Sequence, residues 1–487
     1  MSGPPTAFDP AAFDLGTPVL DELRRREFTR LDRPQDGPRH RYFDYTGAGL
    51  HAESQVRRHA ELLAEQTLGN PHSHNPTSSP CTDLVEATRE RVLRHFGGTD
   101  DHVVVFTANA TAALKLVGEA FDFGARPRLV LSADNHNSVN GIREFARRAR
   151  ARIDVLPLDP ATLRLDIDTA RGRLETDVAT PGLFALPAQS NYSGVQHPLE
   201  LVHAASRRGW RVLLDAAAFA PTNPLDLSVV PADFVCVSFY KVFGHPTGVG
   251  ALIARRDALA ELRRPWFAGG TIAMASVSAD AHRLTPGAAG FEDGTPNFLS
   301  IPAVGFGLDV LDEVGHDTVH HRVGRATAAL LGGMAALRHG NGEPVIRVLG
   351  PTDTAARGGT IAFNLADPGG RMIHDQRVQE LAGEQGISLR SGCFCNPGCG
   401  EAARGLGAAD LAPFFERELA PDFCDLDDEL WATRGWGASA LRASVGWVTN
   451  AADIEALLGF LAGFADLSDA DLGAPGDASR RRGPDSP

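Results

Sequence analysis

Lysine is scarce in this chain: of its 47 basic residues only Lys115 and Lys241 are lysines. Chemistry that needs a primary amine has two positions to choose from. Lys241 lies in Ser238-Phe239-Tyr240-Lys241-Val242-Phe243-Gly244-His245-Pro246-Thr247-Gly248, directly after an apolar run and before a glycine-rich turn. At the carboxyl end of a buried strand, where ligands collect in open α/β sheets, an amine suits a Schiff base with the aldehyde cofactor pyridoxal 5′-phosphate. A surface-loop lysine would show the same local sequence. Lys115, in Thr111-Ala112-Ala113-Leu114-Lys115-Leu116-Val117, reads as a helix lysine with its ammonium in water. Asp215 closes the run Val212-Leu213-Leu214. A buried carboxylate there would keep a pyridine nitrogen protonated, although capping of the next segment asks for the same residue.

Two further stretches carry candidate chemistry. Phe106-Thr107-Ala108-Asn109-Ala110-Thr111 links a strand to a helix, so its backbone N–H groups and the Thr111 hydroxyl could hold a phosphate; ordinary N-capping explains the same residues. His136, after the next strand, is a candidate to stack on a flat ring or to be a hydrogen-bonded structural histidine. Arg390-Ser391-Gly392-Cys393-Phe394-Cys395-Asn396-Pro397-Gly398-Cys399 places thiols beside an arginine and turn formers, which favours a reactive thiolate on an accessible loop. The alternative is zinc or an iron–sulfur cluster on these cysteines and Cys424, but the pair is Cys-x-Cys and not the usual Cys-x2-Cys.

The elements that must position these residues are an alternation of strands and helices. Val103-Val104-Val105-Phe106, Leu129-Val130-Leu131, Leu183-Phe184-Ala185-Leu186, Val212-Leu213-Leu214, Phe234-Val235-Cys236-Val237 and Gly250-Ala251-Leu252-Ile253 read as buried, mostly parallel strands of an α/β domain. Long helices over Ile301–Leu337 and shorter strands and helices over Pro344–Leu467 imply a smaller α/β domain. The expected boundaries are a disordered N-terminus at 1–14, a segment at 15–60 packing on the small domain, a large cofactor domain at 61–315, the small domain at 316–468 carrying the cysteine loop, and a disordered tail at 469–487. No repeat of 20 to 50 residues is visible. A formal charge of -14 argues against nucleic acid and anionic membranes as partners. With no signal-like N-terminus, no membrane-length apolar run and only six cysteines, the expected location is the cytoplasm.

Several segments together resemble a known family. Asn70-Pro71-His72-Ser73, Phe106 to Leu116, His136-Asn137-Ser138-Val139-Asn140-Gly141-Ile142-Arg143-Glu144, Pro187-Ala188-Gln189-Ser190-Asn191-Tyr192-Ser193-Gly194 and Ser238 to Gly248 are similar to the desulfurase domain of molybdenum cofactor sulfurases. This is a branch of the class V aminotransferase and cysteine desulfurase superfamily, and the likeness runs from about Tyr42 to about Phe464. It implies a pyridoxal-phosphate enzyme of fold type I. Lys241 would hold the cofactor, Asp215 its pyridine nitrogen, His136 its ring, and Ala110, Thr111, Ser238 and Tyr240 would complete its binding set. Asn191 falls beside the substrate, and Gly294-Thr295-Pro296 resembles a loop whose Thr295 reaches the partner's phosphate in a homodimer.

The Arg-x-Gly-x-x-Cys part of the cysteine loop resembles the desulfurase nucleophile loop, which makes Cys395 the expected sulfur acceptor. Arg442, in Leu441-Arg442-Ala443-Ser444-Val445-Gly446, matches the arginine that clamps the amino-acid carboxylate, with Arg390 near it. The implied reaction takes sulfur from L-cysteine onto Cys395, releases alanine, and passes the sulfur to molybdenum cofactor, a carrier protein or a small molecule. Two residues depart from the wider pattern: Tyr240 replaces the usual histidine and Ala218 the usual glutamine at the cofactor oxygen. The stretch between Cys395 and Arg442 is longer than in ordinary desulfurases, and Cys399 receives no role. Competing readings are a carbon–sulfur lyase or aminotransferase-like enzyme that ignores Cys395, and a metal-bearing scaffold that ignores Lys241.

Overall fold

A computed structural model describes residues 15–33, 39–175, 180–417 and 422–473 of the chain. Its main sheet has seven strands in the order His102–Thr107, Gly250–Arg255, Phe234–Ser238, Arg211–Asp215, Leu183–Pro187, Arg128–Ser132 and Arg152–Leu156. Gly250–Arg255 runs antiparallel to both neighbours and every other pairing is parallel. The inner strands are continuous apolar runs because both of their faces are covered. Leu183, Ala185 and Leu213 pack with the helices Ala110–Ala120 and Ile142–Arg148, whereas Phe184, Leu186, Val212 and Leu214 pack on the other face with Leu174, Leu201 and Val202. All six expected runs lie in this sheet. The strand with no apolar run, Arg152–Leu156, is one of the two edges, where Arg152 and Val155 stay exposed.

Helices Ile301–Val314 and His316–Ala336 follow, separated at Gly315, whose φ of +79° suits glycine. They lead to a four-stranded antiparallel sheet in the order Ile346–Leu349, Thr360–Leu365, Ala440–Ser444 and Arg390–Gly392. This is the α/β arrangement of fold type I: a large, mostly parallel sheet and a smaller α/β unit. The N-terminal segment spans the second unit. Buried Arg24 donates to the Val448 carbonyl (2.7 Å), Asp32 (2.8 and 3.0 Å) and Asp453, and Arg41–Tyr42 pairs in parallel with Ile387–Ser388.

The first residues of the expected C-terminal tail are ordered. Asp469–Leu472 forms a helical turn capped by Ser468, and the Leu472 carbonyl accepts from Arg377 Nε at 3.0 Å, so these residues have partners that a reading of composition misses. Residues 1–14 and 474–487, also expected to be disordered, lie outside the described residues.

The long stretch after the cysteine loop folds into helices Pro397–Arg404, Ala408–Phe415 and Phe423–Arg434 over a small cluster of Leu406, Leu430 and Ala438. It rejoins the second sheet through a pair of buried carboxyls. Ser439 Oγ lies 2.7 Å from Asp375 Oδ1 and 3.2 Å from Asp427 Oδ2, with one proton for both. Burial, with the Asp427 charge added, pushes Asp375 up to about 6. A carboxyl with a raised folded-state pKa binds its proton more tightly in the folded protein, so its stabilisation is full in acid and is lost as pH rises from about 4 through about 6. Asp375→Asn, which mimics the protonated form, should leave the melting temperature near the parent's at about pH 4 and raise it above the parent's at pH 8 in thermal melts at both pH values.

Candidate active site

Strand Phe234–Ser238 ends at Ser238, and the single turn Phe239–Phe243 carries Lys241. Gly49 closes on this turn: a β-carbon there would stand 2.8 Å from the Lys241 carbonyl oxygen and 3.0 Å from Gly244 N, so only glycine lets the N-terminal segment approach. Lys241 lines one cleft with Ala110, Thr111, His136, Asn191, Asp215, Ser238 and Tyr240, which comes from the ends of separate strands. The cleft is open to solvent, with room of about 110 Å³ enclosed among these side chains.

One end of the cleft is built for an anion. Asn109 caps helix Ala110–Ala120 by accepting from Ala112 N–H, and Ala110 N–H donates to Ser238 Oγ at 2.8 Å. The Thr111 and Ser138 hydroxyls are 2.8 Å apart, and Ser138 Oγ lies 3.0 Å from His136 Nδ1. Hydroxyls thus gather at the positive end of a helix. Elsewhere in the cleft Asp215, 9% exposed, accepts from Ala217 N–H at 3.0 Å through one carboxylate oxygen, the one hydrogen bond to its side chain among the described residues. The other oxygen is available to a ligand.

Electrostatics keep the amine reactive. Burial lowers the pKa of Lys241, and Arg442 and Arg390 push it the same way against the opposing charges of Asp215 and Cys395. A lowered pKa leaves more of the neutral, nucleophilic amine at pH 7. His136 is held toward its neutral ring by burial and then by the Lys241 charge. The other lysine, Lys115, is exposed on its helix, 3.4 Å from Glu119.

Arg390 and Arg442 face each other across neighbouring strands. Asp44 lies between them: it accepts from Arg442 at 2.9 Å and from Arg390 at 3.0 and 2.6 Å. Buried Arg442 also donates to the Asn191 carbonyl at 2.9 Å and stacks over the Phe394 ring at 4.6 Å. Both terminal nitrogens of Arg442 are thus engaged, one by the Asn191 carbonyl and one by Asp44, so any carboxylate taken by this fork would share it with Asp44. Cys395 is exposed, and its carbonyl accepts from Asn137 N–H at 2.7 Å, which sets the cysteine loop against the residue after His136. Cys399 is fully buried and Cys393 half-buried, so the three thiols occupy different environments, and among the described residues no three His, Cys, Asp or Glu side chains are arranged to hold a metal ion.

Of the expected residues, Cys395, Arg390, Arg442 and Thr295 do not line this cleft; Arg442 reaches it through the Asn191 carbonyl, whereas Thr295 is set apart. It lines a different one with Lys115, Gly248 and Asn297, and accepts from Asn70 Nδ2 at 3.3 Å. Residues missed in the sequence are Asp44, Ser138 and Gln189. Ser138 belongs to the motif of His136 and could have been found there. Gln189 sits in the cleft beside Ala218, donating to its carbonyl at 2.8 Å. Asp44 gives no local signal.

Amine, buried carboxylate, flat neutral imidazole and helix-end hydroxyls are the donor set that pyridoxal phosphate requires, so the residues present fit it. The aminotransferase class-V family model matches residues 41–457, and the chain belongs to that family of pyridoxal-phosphate enzymes. Among its relatives are the molybdenum cofactor sulfurases of Homo sapiens, 36% identical over 92% of this chain and 52% of the relative, and of Solanum lycopersicum, 34% identical over 91% and 57%. The chain thus spans about half the length of the curated relatives it matches. Among solved structures it is similar to an apo cysteine desulfurase from Thermococcus onnurineus NA1 (TM-score 0.74, 22% identity, 91% of this chain and 97% of that one). It is also similar to the cystine C-S lyase C-DES (TM-score 0.66, 20% identity, 88% and 98%). The fold therefore accommodates both kinds of sulfur chemistry.

Removing the anion between Arg390 and Arg442 should be costly. Asp44→Asn is expected to lose on the order of 2 to 3 kcal/mol of stability, measured by urea unfolding, with a smaller loss at high salt where exposed Arg390 is screened.

Proposed function

We propose that this chain is a cysteine desulfurase that moves the sulfur of L-cysteine onto Cys395 as a persulfide, releases alanine, and passes the sulfur to molybdenum cofactor or another acceptor. The observation that carries the reading is the placement of Cys395: an exposed thiol on a loop whose Cys395 carbonyl accepts from Asn137 N–H, beside the His136 wall of the Lys241 cleft. A lyase or aminotransferase of this fold has no need of a thiol there. The similarity to sulfurases at 33–37% identity supports the same reading.

Bound pyridoxal phosphate supplies an electron sink for the negative charge that develops at the substrate α-carbon. Lys241 would hold the cofactor and would move the α-proton. Asp215 would keep the pyridine nitrogen protonated, His136 would lie against the ring, and Thr111, Ser238 and the Ala110 region would hold the phosphate, with Tyr240 at the edge of the cleft. Arg442, with Arg390 beside it, takes the α-carboxylate, and Asn191 orients the substrate. Cys395 Sγ attacks the substrate sulfur: a sulfur–sulfur bond forms, the carbon–sulfur bond breaks with its electron pair left on carbon, and protonation gives alanine. The net change is Cys395 thiol plus cysteine to Cys395 persulfide plus alanine.

The finer assignments are a cytoplasmic enzyme and a homodimer in which Thr295 completes the partner's phosphate site. They are supported by the place of Thr295 in a cleft apart from Lys241, and no helix among the described residues is long and apolar enough to cross a membrane.

L-Cysteine given to the cofactor-loaded protein with reductant should yield alanine and sulfide. Cys395→Ser should lower alanine formation by about 100-fold or more while the cofactor absorbance persists. Pyruvate in place of alanine, or full activity in the mutant, would replace this reading with a lyase. Arg442→Lys, which loses the planar fork, should raise KM for cysteine by about tenfold or more in steady-state assays.

A further inference from the structure

Strand Arg128–Ser132 is followed by Asp134, a carboxylate that is 0% exposed and has no part in the reaction above. It accepts from His197 Nε2 at 2.8 Å, Ser190 Oγ at 2.9 Å and Asn396 Nδ2 at 2.7 Å. His197 and Asn396 are themselves 3% and 1% exposed. Burial alone would raise the Asp134 pKa; the bonds from His197, Asn396 and Cys399 overcome it and hold the group ionised. A fully enclosed carboxylate is costly to keep unless something depends on it.

What depends on it is the neighbour of Cys395. Asn396 Nδ2 also donates to Asn191 Oδ1 at 2.9 Å, while Asn396 Oδ1 accepts from Cys399 N–H at 3.4 Å. Both amide protons of Asn396 are thereby used, and turning the amide over would set its oxygen against the Asp134 carboxylate. With Asn191 Oδ1 acting as acceptor, its Nδ2 must donate, and it does so to the Phe394 carbonyl at 2.7 Å. Phe394 and Cys395 have φ of +54° and +53°, a left-handed pair of non-glycine residues that persists only where the surroundings impose it. One carboxylate therefore orders two amides, and the amides hold the strained turn that carries the thiol.

We propose that Asp134, itself set by His197, is a positioning residue for sulfur transfer: it orients Asn396 and Asn191 so that the Phe394–Cys395 turn is held against the cleft. The proposal rests on Cys395 being the sulfur acceptor. Asp134→Asn offers an amide that both donates and accepts in place of a pure acceptor, so the order of the two amides is lost. Asn396→Ala cuts the same link and leaves Asp134 with His197 and Ser190.

The test uses cofactor-loaded parent, both single variants and the double variant. It reads cofactor absorbance and its change on adding L-cysteine, Cys395 persulfide by mass spectrometry after one turnover without reductant, and kcat and KM for alanine formation. The expected result is unaltered absorbance, with persulfide formation and kcat lowered on the order of 10- to 100-fold in each variant, KM changed by less than kcat because Asn191 also orients the substrate, and the double variant no worse than either single one. Parental persulfide rates in Asp134→Asn and Asn396→Ala would overturn the proposal. So would a loss of cofactor absorbance with kcat per bound cofactor unchanged, which would make Asp134 a support of the cofactor cleft. Should Asp134→Asn fail to fold, Asn396→Ala decides alone. Absence of a Cys395 persulfide in the parent would defeat the proposed reaction and this inference with it, whereas a persulfide that forms equally fast in the variants defeats the inference alone.

Discussion

Two guanidinium groups directly opposed on neighbouring antiparallel strands repel each other, and the pair Arg390–Arg442 is tolerable because a third segment inserts an anion between them. That segment is the N-terminal one, and much of the chain's connectivity follows from getting Asp44 into place. The short pairing of Arg41–Tyr42 with Ile387–Ser388 sets the register, the bridge from Asp44 to Ser444 continues it, and helix Pro18–Glu27 is tied down by its own Arg24, which donates to the Val448 carbonyl, and by Arg322 of His316–Ala336, which bonds both Asp21 and the Thr449 carbonyl. Arg442 then reaches the Asn191 carbonyl, so three segments far apart in sequence meet at one side chain.

The same cations shape the chemistry of the cleft. Arg442 and Arg390 lower the pKa of Lys241 in the direction that burial already takes it, and Asp215 and Cys395 oppose them. Positive charge near an amine disfavours the ammonium, so the two arginines favour the neutral form of Lys241. Asp44 lets them stand there together, since without its carboxylate the two cations would face each other uncompensated.

How much of this was legible follows from how far each interaction reaches along the chain. Lys241 and Asp215 could be read because each ends an apolar run, and a strand buried on both faces announces itself residue by residue. The edge strand Arg152–Leu156 could not, because half of its side chains face water and its pattern resembles a loop. Cys395 was legible as a thiol near an arginine, but its left-handed backbone was not, since nothing in Phe394-Cys395 favours positive φ and the cause lies in Asn191 and Asn396. Asp44 and Asp134 were silent for the same reason: their partners are chosen by register and packing. Asp469–Leu472 shows the converse, a stretch of disordered composition held by a cap and one arginine.

The scarcity of lysine has a consequence for how such a chain acquires its cofactor. A free aldehyde condenses with whatever unprotonated amine it meets, and on most protein surfaces many lysines compete for it as decoys. Guanidinium groups do not, because they stay protonated at any physiological pH. With arginine carrying nearly all the positive charge, the decoy lysines on this chain reduce to Lys115, paired with Glu119. If Lys241 holds the cofactor as proposed, its selection is written partly into the composition of the surface, outside the cleft altogether.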